Sequence, residues 1–212
     1  MVSSNLDLNE AFSTEPLTRE NILTLRNQIY TSKANYEELE KKIKVLRSSL
    51  STKKDTPEAK KNTLILGICL WISGEQEEAF EVLTKLKSNK FACYFLGKCY
   101  QELEEYEKAL DFFERSKQAN EEEFQIQVDI VETQRLSGDY QSALKLIQKL
   151  SKKHDNEASL HYQWAHCLDN LGEYEEALTH YNRALEMNPD HSNSLFRIAY
   201  YFDLSGEDEK AL

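Results

Sequence analysis

Five histidines and four cysteines are the side chains with which this 212-residue chain could hold a metal or build a nucleophile: His154, His161, His166, His180 and His191, with Cys69, Cys93, Cys99 and Cys167. A zinc site needs three or four such ligands at short spacing, so that their donor atoms converge. No two cysteines form Cys-x-x-Cys, and all four lie in apolar runs with helical spacing. A thiol placed so is a small buried hydrophobe of a reducing compartment. His154 and His191 fall at turns and His180 on a helix, and there is no His-Glu-x-x-His and no Gly-x-Ser-x-Gly. The 37 acidic residues are spread over solvated faces, so no catalytic pair can be picked out. These residues predict no metal, no cofactor, no catalytic residue and no enzyme within this segment.

The elements that carry these residues come from a repeat. The six glycines are Gly67, Gly74, Gly97, Gly138, Gly172 and Gly206, and the last three stand 34 residues apart. Ala143, Ala177 and Ala211 each follow one of those three by five residues, Ala79 follows Gly74 in the same way, and Ala109 follows Glu104. A fixed period of this size marks an array of supersecondary units. On that frame, repeats begin near Lys60, Lys90, Phe124, Ala158 and Ser192. Each holds two apolar-periodic segments around a turn: Ser73-Gly74-Glu75, Leu103-Glu104-Glu105, Ser137-Gly138-Asp139, Leu171-Gly172-Glu173 and Ser205-Gly206-Glu207. Glycine suits the positive φ that closes a helix, and the acids that follow favour the next N-terminus. Each repeat therefore reads as helix A, tight turn, helix B. Every glycine is used by this frame, which leaves none for a phosphate-cradling loop.

The residues at these positions resemble the tetratricopeptide repeat. Helix A reads Cys93-x-x-Leu96-Gly97-x-x-Tyr100 and Thr63-x-x-Leu66-Gly67-x-x-Leu70, with looser forms around Trp164-Ala165 and Ile198-Ala199. Helix B reads Tyr174-Glu175-Glu176-Ala177-Leu178, then Tyr181, Ala184 and Pro189. The resemblance implies an all-α, right-handed α-solenoid of antiparallel helix-turn-helix repeats over residues 56–212. That is about five repeats, the last one incomplete. Small residues such as Gly97 and Ala109 let helices A and B approach, and Leu96, Tyr100 and Phe113 fill the gaps. The third repeat departs from this pattern, with Val131 for the small helix A residue and Leu150 for a late alanine, and is expected to pack more loosely. The fifth stops at Leu212 without a capping helix, which predicts a piece of a longer protein.

In the family, the inner faces of the A helices line a groove that takes a peptide or partner helix. Inward positions 2, 5, 9 and 12 of the frame lie on one helix face. The resemblance thus implies a groove lined by Leu64, Ile68, Trp71, Phe91, Tyr94, Lys98, Glu132, Tyr162, His166, Asp169, Phe196, Tyr200 and Asp203. The lysine and asparagine of the family's carboxylate clamp are missing, because Leu64 with Ile68 and Tyr94 with Lys98 stand in their places. The early groove is apolar and aromatic, the later part carries acids, and a partner segment with an apolar anchor and nearby basic residues is expected.

Residues 1–59 hold nine basic and nine acidic side chains, so the whole net charge of −11 belongs to residues 60–212. Such a charge disfavours nucleic acid and anionic membranes. Residues 1–16 are polar and read as a mobile tail. Over 17–55 a helical pair is expected, read as a degenerate first repeat that covers the open end of the array, with Thr18 capping the first helix and Asn35 with Glu38 forming a second capping box. The same stretch can be read as one helix. Ile22, Leu25, Ile29, Ser32, Tyr36, Leu39, Ile43, Leu46 and Leu50 form an unbroken heptad series that would make a homo-oligomeric coiled coil through residues 22–50. No apolar run reaches 18 residues and the N-terminus lacks a secretory pattern, so a cytoplasmic protein is expected. The reading overall is a non-enzymatic scaffold or adaptor. The alternatives are the recruiting arm of an enzyme whose catalytic domain follows residue 212, or a self-associating assembly subunit.

Overall fold

The computed structural model describes residues 6–13, 17–50, 56–117 and 122–205. It divides into two compact units, Met1–Gln118 and Ala119–Leu212. Among the described residues there are twelve helices and no strand. Unit 1 contains α1 (Leu8–Ser13), α2 (Arg19–Ile29), α3 (Lys33–Leu50), α4 (Pro57–Ser73), α5 (Gln76–Thr84), α6 (Lys90–Glu102) and α7 (Tyr106–Ser116). Unit 2 contains α8 (Glu122–Leu136), α9 (Tyr140–His154), α10 (Ala158–Asn170), α11 (Tyr174–Met187) and α12 (Ser192–Ser205).

From α4 onward the helices alternate as A and B of antiparallel hairpins. Each B helix packs on the A helix before it, and in both units B helices also pack on the A helix that follows, as α5 does on α6 and α9 on α10. Four A helices end in the same way. The N–H of Glu75, Glu105, Asp139 and Glu173 returns to the carbonyl five residues back, at 2.9 Å in each case. The residue before it donates to the carbonyl three residues back, which satisfies carbonyls that a helix end leaves bare. That turn needs a positive φ, which glycine supplies at Gly74 (87°), Gly138 (83°) and Gly172 (83°) and Glu104 (60°) supplies in the second hairpin. The turn at Gly206 and the alanine at Ala211 lie outside the described residues.

Hairpin packing rests on pairs sixteen residues apart. A Cβ on Gly97 would stand 2.7 Å from the Phe113 ring, and one on Gly67 would stand 2.5 Å from Leu83. In the third hairpin Val131 shares a buried cluster with Ala143, Ile147 and Leu150. In the fourth, Ala165 shares one with Ala177 and Tyr181. The looser packing expected of the third hairpin is seen between its backbones, since α8 and α9 come together over less of their length than the helices of the other hairpins do, but the core between them is closed. Val131 and Ile147 are both fully buried, because a branched aliphatic residue there replaces the ring of Phe113 or Tyr181 and leaves room for valine.

The N-terminal region departs from the sequence readings in four ways. The proposed mobile tail includes α1, whose Leu8 and Phe12 are buried, and α1 packs on α3. Residues 1–5 and 14–16 of that tail lie outside the described residues. The continuous 22–50 helix is interrupted after Ile29, and α3 starts at Lys33. Ser32 Oγ accepts from the Asn35 N–H at 3.2 Å, so the cap is Ser32 and not Asn35. Asn35 instead donates its side-chain amide to the Gln28 carbonyl at 2.9 Å, which ties the two helices together across the break. Thr18 does cap α2, accepting from the Asn21 N–H. The apolar residues of the heptad series turn inward: Ile22, Leu25, Ile29, Leu39, Ile43 and Leu46 are all buried within unit 1.

Candidate protein-interaction faces

In unit 1 the inward stripe of α4 and α6 is covered rather than open. Ile68, Trp71 and Tyr94 have no exposed surface. Arg26 of α2 lies over the Trp71 ring at 4.3 Å and pairs with Glu102 at 3.3 Å. Arg19 of α2 lies over Tyr94 at 5.0 Å and over Phe91 at 5.8 Å. Trp71 also packs on Phe95, and Phe95 on Phe91 and Tyr94. Lys98 donates to Gln101 Oε1 at 2.7 Å and sits 6.0 Å over the Phe113 ring. Leu64 and Phe91 stay partly exposed, lining a surface depression of about 900 Å³ with Leu17, Lys60 and Lys61. The sequence frame assigned Trp71 and Tyr94 to the inward stripe, and both are buried. It could not show that α2 returns to cover them, because nothing in a periodic pattern specifies the partner of an off-frame helix.

In unit 2 the stripe is open on α12, whereas Val128 of α8 is buried and Tyr162 and His166 of α10 are half-buried. Phe196 is 68% exposed and Tyr200 49%, and their rings stack at 6.4 Å. They stand on one face of α12 beside Arg197. Arg197 Nη2 approaches His166 Nε2 at 2.6 Å, and Arg135 Nη1 approaches the same nitrogen at 3.5 Å. An imidazole nitrogen has one lone pair, so two guanidiniums contest a single acceptor. Burial first, then the charges of Arg135 and Arg197, pushes the His166 pKa down to about 4. The ring is therefore neutral near pH 7 and its Nε2 is the acceptor. Arg135 is also held by Gln163 Oε1 at 2.8 Å. Tyr162 meets the His166 ring edge-on at 5.8 Å.

Asp169, expected as one of the acids of the later groove, is already engaged. Tyr181 donates to its Oδ2 at 3.3 Å and Arg197 pairs with it at 3.5 Å. Glu132 is half-buried and Asp203 exposed. The sequence reading put Arg135 on the inward stripe but named neither it nor Arg197 among the groove residues. The signal was present, since Arg135 and Asp169 occupy the same frame position in successive repeats of this unit.

A second polar cluster was not anticipated. His161 Nε2 lies 2.9 Å from the Asp155 carbonyl, which can only accept, so Nε2 carries the proton. His161 Nδ1 is then the acceptor for the Nδ1–H of His180 at 3.0 Å. His180 stacks on Trp164 at 4.1 Å. Burial, and then the neighbouring His161, pushes the His180 pKa down to about 4. The hydrogen bond between these two imidazoles forms a packing device between α10 and α11. Among the described residues, no group of three or more His, Cys, Asp or Glu could hold a metal, and no helix is long and apolar enough to cross a membrane. Burial raises the thiols of Cys69 and Cys99 to about 12 and Cys167 to about 11, far from nucleophilic.

Helix hairpins joined by positive-φ turns and stacked through glycine and alanine contacts define the class: an all-α solenoid. Family comparison agrees. The family described as Tetratricopeptide repeat matches residues 158–191, and the one described as Anaphase-promoting complex, cyclosome, subunit 3 matches residues 20–116. No curated protein matches the sequence significantly. Among solved structures, a MamA crystal structure superposes with TM-score 0.60 at 16% identity over 87% of this chain and 96% of its own. YrrB, described as a TPR protein with an unusual peptide-binding site, superposes with TM-score 0.55 at 22% identity over 79% of this chain and 87% of its own. MamA residues 41 to the end from Desulfovibrio magneticus RS-1 give TM-score 0.59 at 15% identity, over 72% and 88%. Residues 158–191 thus match a tetratricopeptide repeat, and the chain shares the fold of a solved TPR protein.

Proposed function

We propose that the chain binds a segment of a protein partner on the A-helix face of unit 2, with Phe196 and Tyr200 as the apolar contact and Arg135, His166 and Arg197 as the polar one. The observation that carries this reading is the exposure of Phe196, a large aromatic residue lying open beside a guanidinium pair that shares one acceptor. Aromatic and arginine side chains are the residues that most often dominate binding energy. YrrB, a structural neighbour, is described as having a peptide-binding site, and the same use is proposed here on the same fold.

The ligand chemistry differs from the sequence expectation. Asp169 has its charge met within the chain, whereas the surplus of donors lies on the arginines. A partner segment with an apolar anchor and a carboxylate close by fits this face better than one with basic residues. Charge pairing of this kind sets orientation and on-rate more than affinity.

The test is selection of peptides from a displayed random library against the full chain, followed by titration of the selected sequences. Phe196→Ala should weaken them about 30-fold, the equivalent of a hot-spot loss of about 2 kcal/mol. Arg135→Ala should weaken the acidic sequences selectively. Sequences that bind Phe196→Ala as well as they bind wild type would place the binding face elsewhere.

A further inference from the structure

The face of α4 and α6 that the repeat frame leaves available is filled by a helix from outside the frame. α2 does not behave as the A helix of a preceding hairpin. Arg19, at its start, reaches Phe91 and Tyr94 of α6 and donates from Nη2 to the Ser116 carbonyl at the end of α7, 3.3 Å away. Two turns later Arg26 covers Trp71 of α4 and pairs with Glu102 at the end of α6. The Tyr30 hydroxyl, just past its end, donates to the Ile72 carbonyl of α4. One short helix thus engages two successive A helices and the end of a B helix. Ile22, Leu25 and Ile29 form its buried stripe. Spacing of i, i+3 and i+7, flanked by charged anchors, is how an amphipathic helix lies in a groove.

The cover is chemically incomplete. Trp71 Nε1 is buried beneath α2 and has no acceptor among the described residues. A buried indole N–H usually has one. An eleven-residue helix also has little stability of its own and persists through what it rests on.

We propose that α2 is an internal ligand of the A-helix face of unit 1, exchangeable for a partner's amphipathic helix of the same chemistry: two guanidiniums about two turns apart on an Ile/Leu stripe. The rings of Phe91, Tyr94 and Trp71 and the carboxylate of Glu102 read the two cations. In the resting chain α2 keeps this face closed. A competing helix that also offers an acceptor to Trp71 Nε1 gains a hydrogen bond that α2 does not make. This face lies in unit 1 and is separate from the one proposed for unit 2.

Two measurements on the full chain test this. In native-state hydrogen exchange of wild type, residues 19–29 should exchange at least about tenfold faster than α4 and α6, through an opening that leaves the hairpins closed. A fluorescein-labelled peptide of residues 17–31 should bind Arg19→Ala/Arg26→Ala at least about tenfold more tightly than wild type, because the internal competitor is weakened while the face is intact. Adding Glu102→Gln to that variant should weaken the peptide again. If α2 in wild type exchanges only together with α4 and α6, it is core and the proposal fails, and this holds even if the double variant does not fold. A folded double variant that does not bind the peptide overturns it equally.

Discussion

Gly97 of α6 faces the ring of Phe113 on α7 so closely that a Cβ at Gly97 would stand 2.7 Å from two ring carbons. Both residues belong to one hairpin, and Phe113 is fully buried beneath Tyr94. A flat ring wedged between two helices has nowhere to rotate. Gly97→Ala is therefore expected to lower unfolding stability by about 1–3 kcal/mol through overpacking, despite alanine's better helix propensity. Urea denaturation followed by circular dichroism measures this, and a variant at least as stable as wild type would mean that the hairpin opens to admit a methyl group.

The four interhelix turns share one backbone shape but not one residue. Glu104 adopts φ 60° where the other three turns have glycine. A side chain in the left-handed region costs on the order of 1–2 kcal/mol. Glu104→Gly should stabilise the chain by about 0.5–1 kcal/mol, after the extra freedom of glycine in the unfolded state is subtracted. Gly138→Ala should destabilise it by about 1 kcal/mol. Thermal melts of the two variants should move in opposite directions.

Much of this architecture could be read from the spacing of glycines and alanines. The 34-residue period places the starts of α6, α10 and α12 at Lys90, Ala158 and Ser192, because the small residues that allow close helix contact recur at one depth in every hairpin. What the period could not supply was anything outside it. α2 looked like the first half of a heptad series, since Ile22, Leu25 and Ile29 fit a coiled-coil seam as well as they fit a groove. The choice depended on Ser32, which caps a new helix and breaks the series. The polarity of the unit 2 face was misjudged for a related reason. Asp169 counts as an acid in sequence, but Tyr181 and Arg197 approach it from helices 12 and 28 residues away along the chain.

His166 and His180 make stability depend on pH. Their folded pKa values are about 4, below the ordinary 6.5, because both are partly buried and face cations or another imidazole. Each folded-state pKa is depressed, so below 6.5 the unfolded chain binds more protons than the folded one. The contribution of each is complete above about pH 6.5 and is lost as the pH falls from there toward about 4. Melting temperature should hold from pH 8 to 7 and fall steadily between pH 6.5 and 4.5. His180→Gln should flatten the part of that slope due to the His161–His180 pair. A wild-type profile flat down to pH 4.5 would contradict the assignment of both rings as neutral.

The inward turn of the heptad residues leads to a prediction about assembly. Leu39 has no exposed surface, and α3, which carries it, packs on α4 and α1 within the same unit. Were residues 22–50 the seam of a coiled-coil dimer, Leu39→Ala would dissociate that dimer and shift the mass measured by light scattering. With Leu39 in the core of unit 1, the substitution instead leaves a cavity and should cost about 2–5 kcal/mol of unfolding stability. Its mass in solution should stay equal to that of wild type at every concentration tested. Loss of stability without change of mass assigns the series to the interior of unit 1. A change of mass without loss of stability would restore the intermolecular seam.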